Sequence, residues 1–198
     1  MKILYFTNTF SHYRTSIWKK LIELKNHEIF FHFSFESFSG IEGSKWESNF
    51  FRSIKNLKFF GVIFWQRGVL KKVIFDKYDS LLLLGEMTIL SNWIASIIAR
   101  IKNKKVIFWG HGIYGNEKGL KRILRLMFLR LSNYHFLYGN HAKKLLINEG
   151  FKSENLLVIY NSLDVETQNQ YYLEKKVDTK LNFLKTEKYI LFTGRLTK

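Results

Sequence analysis

His111 stands between two glycines, in Phe108-Trp109-Gly110-His111-Gly112, directly after an apolar run. Glycines on both sides let the backbone turn tightly and let a ligand come close. An imidazole in that position can accept, donate or stabilise charge near neutral pH. The competing reading is a turn histidine that hydrogen-bonds the backbone, and the residues leave both open. Other apolar runs end in the same way. Thr7 and Asn8 follow residues 3–6, with His12, Tyr13 and Arg14 close behind. Gly85 and Glu86 follow residues 80–84, Gly139 and Asn140 follow 134–138, and Asn161, Ser162 and Asp164 follow 156–160. Glu86 can accept from a substrate hydroxyl, or cap the next helix, which the residues favour. Arg14 can meet a phosphate near the first helix; a surface arginine is the favoured reading.

These residues need elements to hold them. Apolar runs over 3–6, 28–35, 80–84, 106–109, 134–138 and 156–160 read as strands. Amphipathic stretches over 15–24, 62–75, 89–101, 120–131 and 142–148 read as helices, the second on Val69, Leu70, Val73 and Ile74. Residues 36–49 read as a loop and 165–187 as a linker with one helix. Alternating strands and helices imply an α/β fold, a Rossmann-like parallel sheet with helices on both faces. In such a sheet ligands bind beyond the carboxyl ends of the strands, where the polar residues above collect.

Several chemistries lack their motifs. No Gly-x-Gly-x-x-Gly follows the first strand, and there is no P-loop, Gly-x-Ser-x-Gly elbow or metal-spaced histidine pair. The chain has no cysteine and no proline, so it has no disulfide framework and no thiolate metal site. It carries 32 Lys and Arg against 16 Asp and Glu, a net charge of +16. That field favours anionic partners: nucleic acid, acidic lipid or phosphorylated small molecules.

Four segments together resemble one family. Phe108-Trp109-Gly110-His111-Gly112, Tyr138-Gly139-Asn140-His141-Ala142, Val158-Ile159-Tyr160-Asn161-Ser162-Leu163-Asp164 and Ile190-Leu191-Phe192-Thr193-Gly194-Arg195-Leu196-Thr197-Lys198 are similar, in order and spacing, to glycosyltransferase family 4, retaining enzymes of GT-B fold. Tyr13-Arg14 and Gly85-Glu86 fit the same pattern. The resemblance implies an N-terminal acceptor-binding domain over 1–164, a linker over 165–187, and over 188–198 the start of a donor-binding domain. It implies a catalytic role for His111, acceptor contacts from Asn8, Arg14, Glu86, Gly110, Gly112, Asn140 and Asn161, and donor contacts from Gly194 and Arg195. The partners would be a nucleotide-sugar donor and a glycan or lipid-linked acceptor, with no metal or other cofactor, no nucleic acid, and a place in cell-surface polysaccharide synthesis. The family's second diphosphate cation would fall at position 200, so this chain is expected to be inactive alone. The usual Asn-Gly-Val-Asp loop is Asn161-Ser162-Leu163-Asp164 here, without its glycine.

Basic and aromatic residues interleave. Residues 52–77 carry Arg52, Lys55, Lys58, Arg67, Lys71, Lys72 and Lys77 against Asp76, with Phe59, Phe60, Phe64 and Trp65 among them. The 59–65 stretch reads as a lipid contact, its rings at headgroup depth and its cations on an anionic surface. A cytoplasmic protein peripheral to the inner face of the cell membrane follows. The helix from Lys118 reads as core-facing through Leu120, Ile123, Leu124, Met127, Phe128 and Leu131, with Lys118, Lys121, Arg122 and Arg125 in solvent. The alternatives are a non-enzymatic basic domain binding membrane or nucleic acid, and the product of a broken gene.

Overall fold

The computed structural model describes residues 1–34, 48–161 and 165–176. Two compact units divide the chain, Met1–Leu163 and Asp164–Lys198. In chain order the first unit holds β1 (Lys2–Thr9), α1 (Thr15–Ile22), β2 (Glu28–Ser34), β3 (Phe51–Ser53), β4 (Lys55–Phe59), β5 (Ile63–Arg67), α2 (Val69–Phe75) and β6 (Ser80–Leu84). It continues with α3 (Leu90–Ile101), β7 (Lys105–Gly110), α4 (Gly119–Leu129), β8 (Tyr134–Leu137), α5 (Asn140–Asn148) and β9 (Leu156–Val158). In the second unit α6 (Val165–Lys176) is described.

Seven strands form one sheet in the order β3-β2-β1-β6-β7-β8-β9, every pair parallel. The strands step outward from β1 in one direction and from β6 in the other. The order therefore reverses between β1 and β6, and an open α/β sheet forms its crevice beyond the carboxyl ends at that point.

The apolar runs explain the burial. Both faces of the central strands are covered, so their side chains are apolar at nearly every position rather than at alternate ones. Leu4, Phe6, Leu81, Leu83, Val106 and Phe108 face the layer of α2, α3, α4 and α5. Tyr5, Phe31, Leu82 and Trp109 face the other way, where α1 covers them with Trp18. Phe108 stacks on Phe128 of α4 with ring centroids 4.5 Å apart. Truncating either buried ring to alanine costs about 3–5 kcal/mol. The helices thus lie on both sides, as the sequence leads one to expect.

Two expectations about the elements fail. Residues 62–75 are not one helix: β4 and β5 form an antiparallel hairpin there, and only α2 is helical. Phe60 and Gly61 both have positive φ, 47° and 73°, which turns the chain between the two strands. Gly68, at φ 91°, separates β5 from α2. The second failure is α4. Its expected core face is partly inverted: Leu120, Ile123, Leu124 and Met127 are exposed, while Arg125, Leu126, Phe128 and Leu129 are buried. The sheet takes the side that carries Arg125, and the apolar stripe of Leu120, Ile123, Leu124 and Met127 is left outward. The 59–65 stretch, read as a lipid contact, lies in the hairpin, with Phe59 and Phe60 exposed at its tip and Phe64 and Trp65 half-buried. Most of the expected 36–49 loop, the 177–187 part of the expected linker and residues 188–198 lie outside the described residues.

Candidate functional site

The polar strand ends meet in a crevice of about 220 Å³ at the β1/β6 reversal. It is smaller than the roughly 300–1,000 Å³ of enclosed ligand pockets. Asn8, Arg14, Glu86, Gly110, His111 and Asn161 all line it. Thr7, Thr9, Ser11, Tyr13, Leu84, Trp109 and Tyr138 complete the wall. Two residues expected beside them stand apart. Gly112 is buried, and Asn140, at the start of α5, donates to the Tyr160 hydroxyl at 3.3 Å. Gly194 and Arg195 lie outside the described residues.

Each functional side chain has a local support. Asn56 and Gln66 of the hairpin donate to the carbonyls of Asn8 and Thr7 at 2.7 and 3.0 Å, and Gln66 also donates to Asn56 at 3.1 Å. The end of β1 is fixed that way, although the sequence placed Gln66 in a helix. Asn92, fully buried on α3, donates to the Leu84 carbonyl, and Trp93 donates to the Met87 carbonyl. Together they hold the turn that carries Glu86. The Glu86 carboxylate does not cap α3; the Glu86 backbone carbonyl accepts from Ile89 N–H at 3.2 Å instead. The Gly85 N–H donates to the Trp109 carbonyl, which ties this turn to the one before His111.

The loop after His111 rests on a buried ion pair that the sequence reading assigned to solvent. Arg125 Nε lies 3.3 Å from Glu117 Oε1, both side chains buried, and Arg125 donates to the Gly112 carbonyl at 3.1 Å. Glu117 accepts in turn from the N–H groups of Tyr114 and Gly115. Burial works to raise the Glu117 carboxyl, but those two donors and Arg125 more than offset it and hold it below its ordinary value. Glu117 is the one acid in a basic stretch, which was its signal. Gly112 needs its φ of 65°, and a Cβ there would come within 3.1 Å of Leu146 and 3.2 Å of Leu137.

Arg14 is 7% exposed, not a surface arginine. Its Nη2 donates to the Tyr138 hydroxyl and to Asn161 Oδ1, both at 2.9 Å. Its guanidinium carbon stands 5.2 Å from the Trp109 ring and 5.4 Å from those of Tyr13 and Tyr138. His111 packs edge-on against Tyr138, with centroids 4.6 Å apart. Burial, then the charges of Arg14 and Arg125, lower its pKa and so favour the neutral imidazole. Burial raises the Glu86 carboxyl above its usual range, with Arg125 partly offsetting the shift. A neutral imidazole and a carboxyl of raised pKa line one crevice, the pairing that proton exchange or hydroxyl binding requires.

No family profile and no curated protein matches the chain. Solved structures do. The chain is similar to a UDP-GlcNAc 2-epimerase from Methanocaldococcus jannaschii (18% identity, TM-score 0.57), over 94% of this chain and 54% of that one. It is similar to a UDP-GlcNAc 2-epimerase from Neisseria meningitidis bound to UDP-GlcNAc (17%, 0.56), over 93% and 54%. A third match is the UDP-N-acetylglucosamine 2-epimerase from Rickettsia bellii (15%, 0.52), over 93% and 51%. The chain spans about half the length of these structures. At such identities the likeness is one of fold: an α/β, Rossmann-like parallel sheet of the kind found in GT-B-type enzymes.

Proposed function

We propose that this chain forms the acceptor-side half of a glycosyltransferase, which moves a sugar from a nucleotide-sugar donor to a glycan or lipid-linked acceptor with retention of configuration. The observation that carries the reading is the convergence of Asn8, Glu86, His111 and Asn161 on one crevice at the sheet's reversal point. Neutral His111 would hold a hydroxyl of the transferred sugar, and Glu86 would accept from a hydroxyl of the acceptor. Gly194 and Arg195 would meet the donor diphosphate, whose charge grows as it leaves. Gly112 and Asn140 would act from beside the crevice. Residues 1–164 would be the acceptor domain, 165–187 a linker and 188–198 part of the donor domain. Cell-surface polysaccharide synthesis at the inner face of the cell membrane is the setting we propose.

The pairing of Glu86 with His111 also favours a second reading, a sugar-nucleotide epimerase in which both groups move protons at a ring carbon. One experiment separates the two. The enzyme that contains this chain is incubated with UDP-hexoses, with and without oligosaccharide or lipid-linked acceptors. Glycosyl transfer releases UDP only when an acceptor is present, and the product keeps the donor's anomeric configuration. Epimerisation changes the UDP-hexose itself without acceptor. Neither product from any UDP-hexose tried would end both readings.

A further inference from the structure

Arg14 is a buried cation beside which no carboxylate stands among the described residues. Burying a guanidinium is costly unless an opposite charge or a full set of acceptors compensates. The two acceptors that Arg14 meets, the Tyr138 hydroxyl and Asn161 Oδ1, are both neutral and share its Nη2. Its Nε is buried and has no hydrogen-bond partner. Among the described residues no carboxylate pairs with it. Arg125, buried to the same 7%, also has an Nε without a hydrogen bond, but the Glu117 carboxylate stands 3.3 Å from it and the Gly112 carbonyl accepts from its Nη1. The fold pairs the arginine that supports a loop and leaves unpaired the arginine that lines the crevice.

The surroundings fit an incoming anion. Tyr138 accepts from Arg14 through its oxygen and keeps its own proton to donate. The rings of Tyr13, Trp109 and Tyr138 surround the guanidinium and help bury it, which strengthens its attraction to any opposite charge it meets. A guanidinium fork matches two oxygens of one carboxylate or phosphate. Arg14 was anchored there by residues 124 and 147 positions further along, so the site is built by the whole fold rather than by one turn.

We infer that the ligand of this crevice carries an oxyanion, a carboxylate or a phosphate ester, and that Arg14 recognises it. This rests on the sugar-handling reading and narrows it: the bound sugar is acidic, or the nucleotide diphosphate attached to it reaches Arg14. Arg14 is thereby a specificity-determining residue, and neutral sugars alone are poor ligands.

The full chain, labelled with nitrogen-15 at arginine, is titrated with glucuronate, glucose, UDP and inorganic phosphate while the Arg14 Nε–H resonance is followed. That signal reports on the wild-type protein and needs no variant. We expect a saturating shift with glucuronate or with UDP, and none with glucose. A response to glucuronate places the anion on the acceptor sugar; a response to UDP places it on the donor. Arg14→Gln should weaken the responding ligand at least tenfold, and Arg14→Lys should fall between. A shift with phosphate alone, without any with sugar or nucleotide, keeps the oxyanion site and ends the sugar reading. Glucose bound as well as glucuronate, with UDP inert, overturns the inference and spares the sugar reading. An Arg14 signal unmoved by every anion also overturns it.

Discussion

His111 is exposed at the crevice, so its removal should cost the fold little and the chemistry much. In the active enzyme His111→Ala is expected to lower kcat by about 10²–10⁴-fold, while the melting temperature stays nearly unchanged. The pH dependence has a definite sign. Burial and two nearby arginines lower the pKa, so the neutral form persists below the ordinary histidine value of 6.5. Turnover that needs the neutral imidazole should hold as pH falls past 6.5 and fail only further down. A pH–rate profile whose acid limb lies above 6.5, and survives in His111→Ala, would assign it to another group. The placement of His111 and Glu86 at strand ends was legible in the sequence because glycine marks ends that a ligand can approach, although for Glu86 the residues favoured a helix cap. Arg14 was not. Charged residues are rarely buried, and the groups that bury this one come from β7 and beyond, where sequence spacing carries no information about contact.

Among the elements, the sheet was readable and the hairpin was not. Strands such as β6, apolar at four successive positions, announce burial on both faces. Residues 63–67 are also apolar-rich, and next to the periodic residues 69–74 they passed for one helix. Gly68 and the pair Phe60-Gly61 were the signals that two elements meet there. In α4 the period was right and the side was wrong, because an apolar stripe does not state whether sheet or solvent covers it. The same helix supplies Arg125, whose loss should be felt at the loop after His111. Arg125→Met is expected to destabilise the unit by about 3–5 kcal/mol, since it leaves the buried Glu117 carboxylate without its countercharge. Changing both residues to apolar partners should cost less than the sum of the single changes, as read by denaturant melts in a double-mutant cycle. Two strands also carry buried histidines. His32 on β2 and His135 on β8 are lowered to about 4 by burial, His32 further by the charge of Lys72. The unfolded chain binds their protons first, so this stability is complete above pH 6.5 and is lost as pH falls toward 4. The loss is about 3 kcal/mol for each. Urea midpoints measured between pH 7 and pH 4 should fall across that window, and His135→Gln should flatten the fall.

Across the whole molecule, charge and exposed apolar surface coincide. Leu120, Ile123, Leu124 and Met127 on α4 are exposed beside Lys121 and Arg122, and α3 exposes Leu90, Ile94, Ile97 and Ile101. Phe60, 93% exposed, projects from the hairpin near Lys58. No helix among the described residues is long and apolar enough to cross a membrane. The arrangement supports the peripheral association proposed above, with each cation near an anionic surface contributing about 1 kcal/mol. Vesicles containing anionic lipid should co-sediment with the chain, and neutral vesicles should not. Leu124→Glu combined with Met127→Glu should reduce the bound fraction several-fold, whereas equal binding by that variant would clear α4 of the role. The charge imbalance was plain in the composition; the apolar partner surface was not, because it depended on which side of α4 the sheet took.

The hairpin adds a mechanical link. Its two amides, Asn56 and Gln66, grip the final peptide carbonyls of β1, while its far end stands free with a phenyl ring outward. Whatever seizes that end also stills the first strand's last peptides, so capture at a distance would stiffen the ligand's doorstep without touching it.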